Sequence, residues 1–218
     1  MSGYEIGLNG IILSSQPVGE FDRRLVILTG ERGKIACFAK GARRPTSRLT
    51  GSTRVFAFGV FYVYEGRNSY NLHRADIKNY FEGIVKDYDA TVYACYFAEI
   101  ADYYGFEGLE AKEPVNLLYG AFKALEDERL NRRTTAAVYA IRAVADAGEC
   151  PAVEGLHLPA KCLDEDVMKT FSYILTAPVE RLFKFTVGDS TTEALEMIAD
   201  RVERYAIDKK LRSKEMLP

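Results

Sequence analysis

Residues 24–48, RLVILTGERGKIACFAKGARRPTSR, join two short apolar runs, a turn bounded by glycines and a strongly cationic tail. Within 24–29, Leu25, Ile27 and Thr29 alternate with Val26 and Leu28, a period of two that predicts a strand rather than a helix. Gly30-Glu31-Arg32-Gly33 follows, with glycines where a tight turn needs positive φ, and residues 34–40 (KIACFAK) resume as an apolar strand. The pair predicts a hairpin. Segment 41–51 is polar and basic, and Pro45, which has no N–H to give a neighbour, takes the chain out of regular pairing. Upstream, residues 5–13 read as a strand. Downstream, residues 54–64 and 70–78 read as another pair across Gly66-Arg67-Asn68. Five short strands with a long excursion after the third predict a small closed barrel of the five-stranded oligonucleotide-binding (OB-fold) architecture over residues 1–80.

Beyond residue 88 the apolar period becomes helical. Val92, Tyr96, Ile100 and Tyr103 fall on one face, as do Val115, Leu118, Phe122 and Leu125 behind Pro114, which suits a first helical turn. Val138, Ile141 and Ala145 continue the pattern to a terminating Gly148, and Val167, Phe171 and Ile174 follow an acidic start at Asp164, Glu165 and Asp166. Ser190-Thr191-Thr192-Glu193 has capping-box spacing ahead of the stripe Leu195, Ile198, Val202 and Tyr205. Residues 81–218 therefore read as an all-α helical domain, and the chain as an α+β protein of two domains. Residues 148–161 form the one long irregular stretch of the second half.

The 218 residues are 48% apolar, ordinary for a globular core and against disorder. No run approaches the roughly 20 apolar residues of a membrane span, and residues 1–9 lack the layout of a secretion signal, so a cytoplasmic protein with no membrane partner is expected. Cysteines at 37, 95, 150 and 162 show no disulfide framework. The net charge of −2 hides an asymmetry: residues 1–80 hold 12 Lys and Arg against 6 Asp and Glu, whereas acids dominate the remainder. A cationic half concentrates anions near itself, which points to phosphates as ligands of the barrel.

The loop Lys40-Gly41-Ala42-Arg43-Arg44-Pro45-Thr46-Ser47-Arg48 carries most of that charge, with Arg54 just beyond. Guanidinium forks match phosphate oxygens, Gly41 permits close backbone approach, and Thr46 or Ser47 can donate further bonds. Arg23 and Arg24 extend the track. The alternative is a solvated loop that binds nothing. Exposed tyrosines would add base stacking, with Tyr62, Tyr64 and Tyr70 as candidates. Catalysis is not expected: His73 and His157 lie near no nucleophile motif, and no G-x-S-x-G, H-E-x-x-H or Walker-type loop occurs. Cys150, His157 and Cys162 are an incomplete zinc set, because neither cysteine has a partner two to four residues away, so no metal or other cofactor is expected.

In order along the chain, Gly10-Ile11-Ile12-Leu13, Gly19-Glu20-Phe21-Asp22-Arg23-Arg24-Leu25, Leu28-Thr29 with Gly33-Lys34, and Phe38-Ala39-Lys40-Gly41-Ala42-Arg43-Arg44 leading to Ser47 closely resemble the RecO family of bacterial recombination mediators. A weaker likeness continues through YACYFAEIADYY at 93–104, Ala147-Gly148-Glu149-Cys150-Pro151 and the closing Leu211-Arg212-Ser213-Lys214-Glu215-Met216-Leu217. The resemblance implies a DNA-binding barrel, a helical partner-binding domain and a non-enzymatic role in repair: annealing complementary strands and, with RecR and the acidic C-terminal tail of single-strand DNA-binding protein, helping RecA load on coated DNA. Many members hold zinc through two close cysteine pairs, and here only Cys150 and Cys162 stand, so the zinc lobe reads as reduced or absent. An acidic tail needs an apolar groove flanked by cations, for which Arg129, Arg132, Arg133 and Arg142 beside Val138 and Ile141 are the candidates. A protein-interaction scaffold and an RNA-binding barrel remain the alternatives.

Overall fold

A computed structural model describes residues 4–67 and 69–218; Asn68 of the expected turn and residues 1–3 of the N-terminal stretch lie outside the described residues. Strand β1 spans Glu5–Val18, longer than its apolar core suggests, because each end serves a different neighbour. Residues 5–11 pair with β4 (Phe58–Glu65), while residues 10–18 pair with β2 (Asp22–Thr29) across a bulge between Ile12 and Ser14 that bends the strand. Strand β3 (Gly33–Ala39) completes the predicted hairpin with β2, and β5 (Tyr70–Asn79) pairs with β4. A short parallel contact, Cys37↔Tyr70 and Phe38↔Asn71, closes the barrel in the order β1-β2-β3-β5-β4.

Strand alternation fills the interior. Leu8, Ile12, Leu25, Ile27, Ile35, Phe61, Val63 and Leu72 point inward, and Cys37 joins them as an apolar filler whose thiol burial pushes up to about 12. Segment 54–57 does not belong to β4, against expectation. Phe56 there has φ 70, a left-handed conformation that costs an aromatic residue about 1–2 kcal/mol. The turn is offset by burial of the Phe56 ring and by bonds from Phe56 N to Ile12 O (2.9 Å) and from Ile12 N to Ala57 O (3.1 Å).

The compact unit around the barrel also takes in residues 104–115. They dock on the β2–β3 turn: Lys34 N donates to Phe106 O (3.2 Å), Gly108 N to Arg32 O (2.9 Å) and Ala111 N to Gly30 O (2.9 Å). Gly33 permits this approach, since a Cβ on it would lie 2.0 Å from Phe106 O.

The helical unit contains α1 (Glu82–Lys86), α2 (Tyr88–Tyr104), α3 (Lys112–Leu125), α4 (Arg132–Asp146), α5 (Glu165–Thr176), α6 (Val179–Leu182) and α7 (Asp189–Ala206), of which α2 and α3 each give one end to the barrel unit. The expected stripes are buried, including Val92, Tyr96 and Ile100, Val167, Phe171 and Ile174, and Leu195, Ile198 and Val202, whereas Tyr205 is 68% exposed. No capping box forms at α7, because the helix begins earlier, at Asp189 after Gly188. That start turns Thr192 inward, where its hydroxyl meets Gly188 O (3.2 Å) and the Thr134 hydroxyl of α4 (2.8 Å). Glu203, also buried on α7, is bonded to the Tyr96 hydroxyl and to Lys214 Nζ (2.6 Å), so the ion is paired rather than bare. No described helix is long and apolar enough to cross a membrane.

Candidate nucleic-acid interface

Between β3 and β4 the chain runs through successive turns rather than hanging free. Gly41, at φ 67, makes the first of them, and its N–H donates to the Asp22 carboxylate at 2.7 Å. Ala42 and Ala57 are buried in the barrel core and Leu49 packs against it, so the loop is anchored by its own apolar residues. Its hydroxyls face inward: Thr50 donates to Ala42 O (2.9 Å), Thr53 to Leu49 O (2.9 Å), and Ser47 Oγ accepts from Leu49 N (3.2 Å). Ser47 accepts with its oxygen and keeps its O–H to donate, and exposed Thr46 offers a second hydroxyl to a ligand.

With the small and apolar residues turned in, the cations turn out. Lys40, Arg43, Arg44, Arg48 and Arg54 are all exposed. On β2, Arg24 is exposed, while half-buried Arg23 donates to Ser15 Oγ at 3.2 Å. These two lie opposite Phe38 and Ala39 of β3, next to Lys40 in the chain, so the strand pair continues the cationic track. Among the described residues none of the seven forms an ion pair with a carboxylate. Charge gathered without internal neutralisation attracts polyanions, and planar guanidinium groups can take phosphate oxygens two at a time.

The arginines differ in local duty. Arg43 ties the loop to the β1–β2 turn: its N–H donates to Phe21 O (2.8 Å) and its Nη1 reaches Glu20 O (3.2 Å) and Gly19 O (3.4 Å). Arg44 lies over the Phe21 ring at 5.2 Å and Arg54 over Tyr80 at 5.7 Å. Phe21 escapes a reading by strand pattern because it sits in the three-residue turn after Val18. The signal that could have found it is a lone aromatic residue in a polar turn.

The expected stacking residues fare differently from one another. Tyr70 is only 4% exposed and fills the barrel, which removes it as a platform. Arg74 lies 3.3 Å from the Tyr62 ring centroid and covers that face. Tyr64 is 38% exposed beside His73, whose Nδ1 is 2.5 Å from the Glu5 carboxylate.

The apolar lining expected for a groove at α4 is not exposed. Val138 and Ile141 are 1% and 0% exposed because the apolar face of α4 packs against α5 and α7. The four arginines hold acids instead: Arg129 pairs with Asp127 (2.6 Å), Arg132 with Asp87 (2.6 Å), Arg133 with Glu196 (2.5 Å) and Arg142 with Asp146 (2.6 Å). Hydrogen bonds from Arg129 hold the Asp127 carboxyl down to about 2, and those from Arg132 depress Asp87.

Zinc does not fit the donors present. Cys162 is buried with Sγ 3.6 Å from Ala194 O, Cys150 is half-buried with Sγ 3.8 Å from Pro151 O, and burial pushes both thiols up. Among the described residues no three His, Cys, Asp or Glu converge as a metal would need.

The family described as "Recombination protein O N terminal" matches residues 1–81, the barrel. The chain is 24% identical to DNA repair protein RecO of Acetivibrio thermocellus over 92% of its own length and 91% of that protein. It is 26% identical to the RecO of Caldanaerobacter subterraneus subsp. tengcongensis over 94% of each. The RecO of Bacillus subtilis is 34% identical over 50% of this chain and 42% of its own.

Proposed function

The chain belongs to the RecO family, whose members act in DNA repair and recombination, and on that premise we propose that its barrel binds DNA through backbone phosphates. The carrying observation is a loop pinned by its own apolar side chains and hydroxyls while Lys40, Arg44 and Arg48 project without carboxylate partners. A surface preorganised in this way loses little entropy on binding. Because phosphates rather than base edges are gripped, single strands and duplexes of any sequence are ligands.

Neutralising the backbone of two complementary strands also lowers their repulsion, which is the physical basis for annealing. The wider role is that of a mediator: with RecR and the acidic tail of single-strand DNA-binding protein, the chain helps RecA load on coated DNA in the cytoplasm. It makes and breaks no bonds and needs no metal or other cofactor. Lys40, Arg44 and Arg48 carry the phosphate contacts, Arg23, Arg24 and Arg54 extend them, and Arg43 holds the loop in place.

The test is annealing of complementary oligonucleotides, bare and coated with single-strand DNA-binding protein, by the unsubstituted chain and by a Lys40→Ala, Arg44→Ala, Arg48→Ala variant. Acceleration by the first and loss of it in the second are expected. A chain that neither binds bare oligonucleotide nor speeds annealing is a scaffold, and one that prefers RNA of identical sequence is an RNA-binding protein. Either outcome overturns the proposal.

A further inference from the structure

We infer that Phe21 is a nucleobase-stacking platform that gives this barrel a preference for single-stranded over double-stranded DNA, an inference that rests on the phosphate-binding reading above. Phe21 is 36% exposed at the tip of the β1–β2 hairpin, whereas Phe61 fills the barrel and Phe56 is buried. The turn is held rigidly against the cationic loop. Arg43 bonds to the carbonyls of Gly19, Glu20 and Phe21, and the carboxylate of Asp22, the next residue, accepts from Gly41 N at 2.7 Å. The backbone that carries the ring is therefore fixed beside the phosphate-binding cations, at little entropic cost on binding.

Arg44 shows what the exposed face accepts. Its planar guanidinium lies 5.2 Å from the ring centroid, in the space a flat base would occupy. An exposed arginine–aromatic contact is worth about 2- to 5-fold in a local equilibrium, whereas one base stacked on a protein ring contributes about 5- to 150-fold in affinity. A base entering that space outcompetes the guanidinium. Arg44 then turns to the neighbouring phosphate, so that one displacement yields a stack and a charge contact. Bases in a duplex are already stacked on each other and cannot enter without unpairing, so the platform acts on single strands alone.

The chain contains no tryptophan, so Phe21→Trp provides a sole tryptophan, selectively excited, as a reporter at the platform. The full chain carrying it is titrated with oligo(dT), with an abasic oligonucleotide of equal length and with a duplex. Affinities of a Phe21→Leu variant are measured for the same three ligands, after its thermal unfolding shows it is folded. We expect quenching by oligo(dT) but not by the abasic strand. Phe21→Leu should weaken oligo(dT) binding at least about 5-fold while leaving the other two ligands unchanged. Tight oligo(dT) binding without quenching, or equal weakening for all three ligands, would overturn the platform, the latter because the ring then only braces the loop. Failure of the unsubstituted chain to bind any of the three defeats the phosphate-binding reading itself, and the platform with it.

Discussion

In the barrel unit Arg24, Arg44, Arg48 and Arg54 carry their charge outward without an ion pair among the described residues, whereas in the helical unit Arg129, Arg132, Arg133 and Arg142 each hold a neighbouring acid. Local supply of carboxylates separates the two groups. The first 80 residues contain 12 cations and 6 acids, so some cations must stay uncompensated, while the acid-rich remainder can partner each arginine. An arginine's type therefore says little about its task. Its nearest acid says a great deal.

The contrast breaks most visibly if charge is reversed on the barrel. Substituting Lys40→Glu, Arg44→Glu and Arg48→Glu together should lower affinity for a single-stranded oligonucleotide on the order of 100-fold or more at about 0.1 M salt, with thermal stability nearly unchanged. A comparable loss of stability instead would mean that these cations hold the fold.

Arg142→Ala should show the opposite pattern. This side chain is 14% exposed, pairs with Asp146, and donates to Ile174 O (3.0 Å) and Ala177 O (2.6 Å) at the end of α5. Its removal leaves those acceptors without a donor and should cost about 2 kcal/mol in urea unfolding. Oligonucleotide affinity should be unaffected.

Acid titration sharpens the comparison further. Asp87 and Asp127 have carboxyls held below their usual range by hydrogen bonds from Arg132 and Arg129, and Asp127 lies at about 2. Groups depressed on folding stabilise fully above their unfolded value, near 4, and lose that contribution as pH falls through the folded value. Stability should therefore drop between about pH 4 and pH 2, and Asp87→Asn should flatten part of that drop. The smallest effect belongs to Arg129→Ala. Arg129 is 87% exposed and its pair with Asp127 is screened, so the unfolding temperature at neutral pH should fall only slightly and DNA affinity should not change.

Much of the architecture could be read from residue order alone. The two-residue period across 24–40 forms β2 and β3, and the helical stripes lie where their spacing puts them. What escaped was set by contacts distant in sequence. The start of β4 moved because Phe56 pairs with Ile12, and Thr192 turns inward to meet Thr134 of another helix. Arg132 and Arg133 resembled part of a binding patch because Asp87 and Glu196 lie 45 and 63 residues away, beyond any local pattern, whereas the acids that hold Arg129 and Arg142 are close in sequence. The cationic loop, by contrast, announced itself through composition. The exposure of Phe21 did not, since turn geometry determines it.

The most direct measurement is the salt dependence of oligo(dT) affinity. If about four phosphates are neutralised, log affinity should fall against log salt with a slope near −3; Arg44→Ala with Arg48→Ala should flatten it by about 1.4, and Arg132→Ala with Arg133→Ala should leave it unchanged. A slope indifferent to the barrel pair, or equally sensitive to the helical pair, would contradict the division of labour between the two sets of arginines.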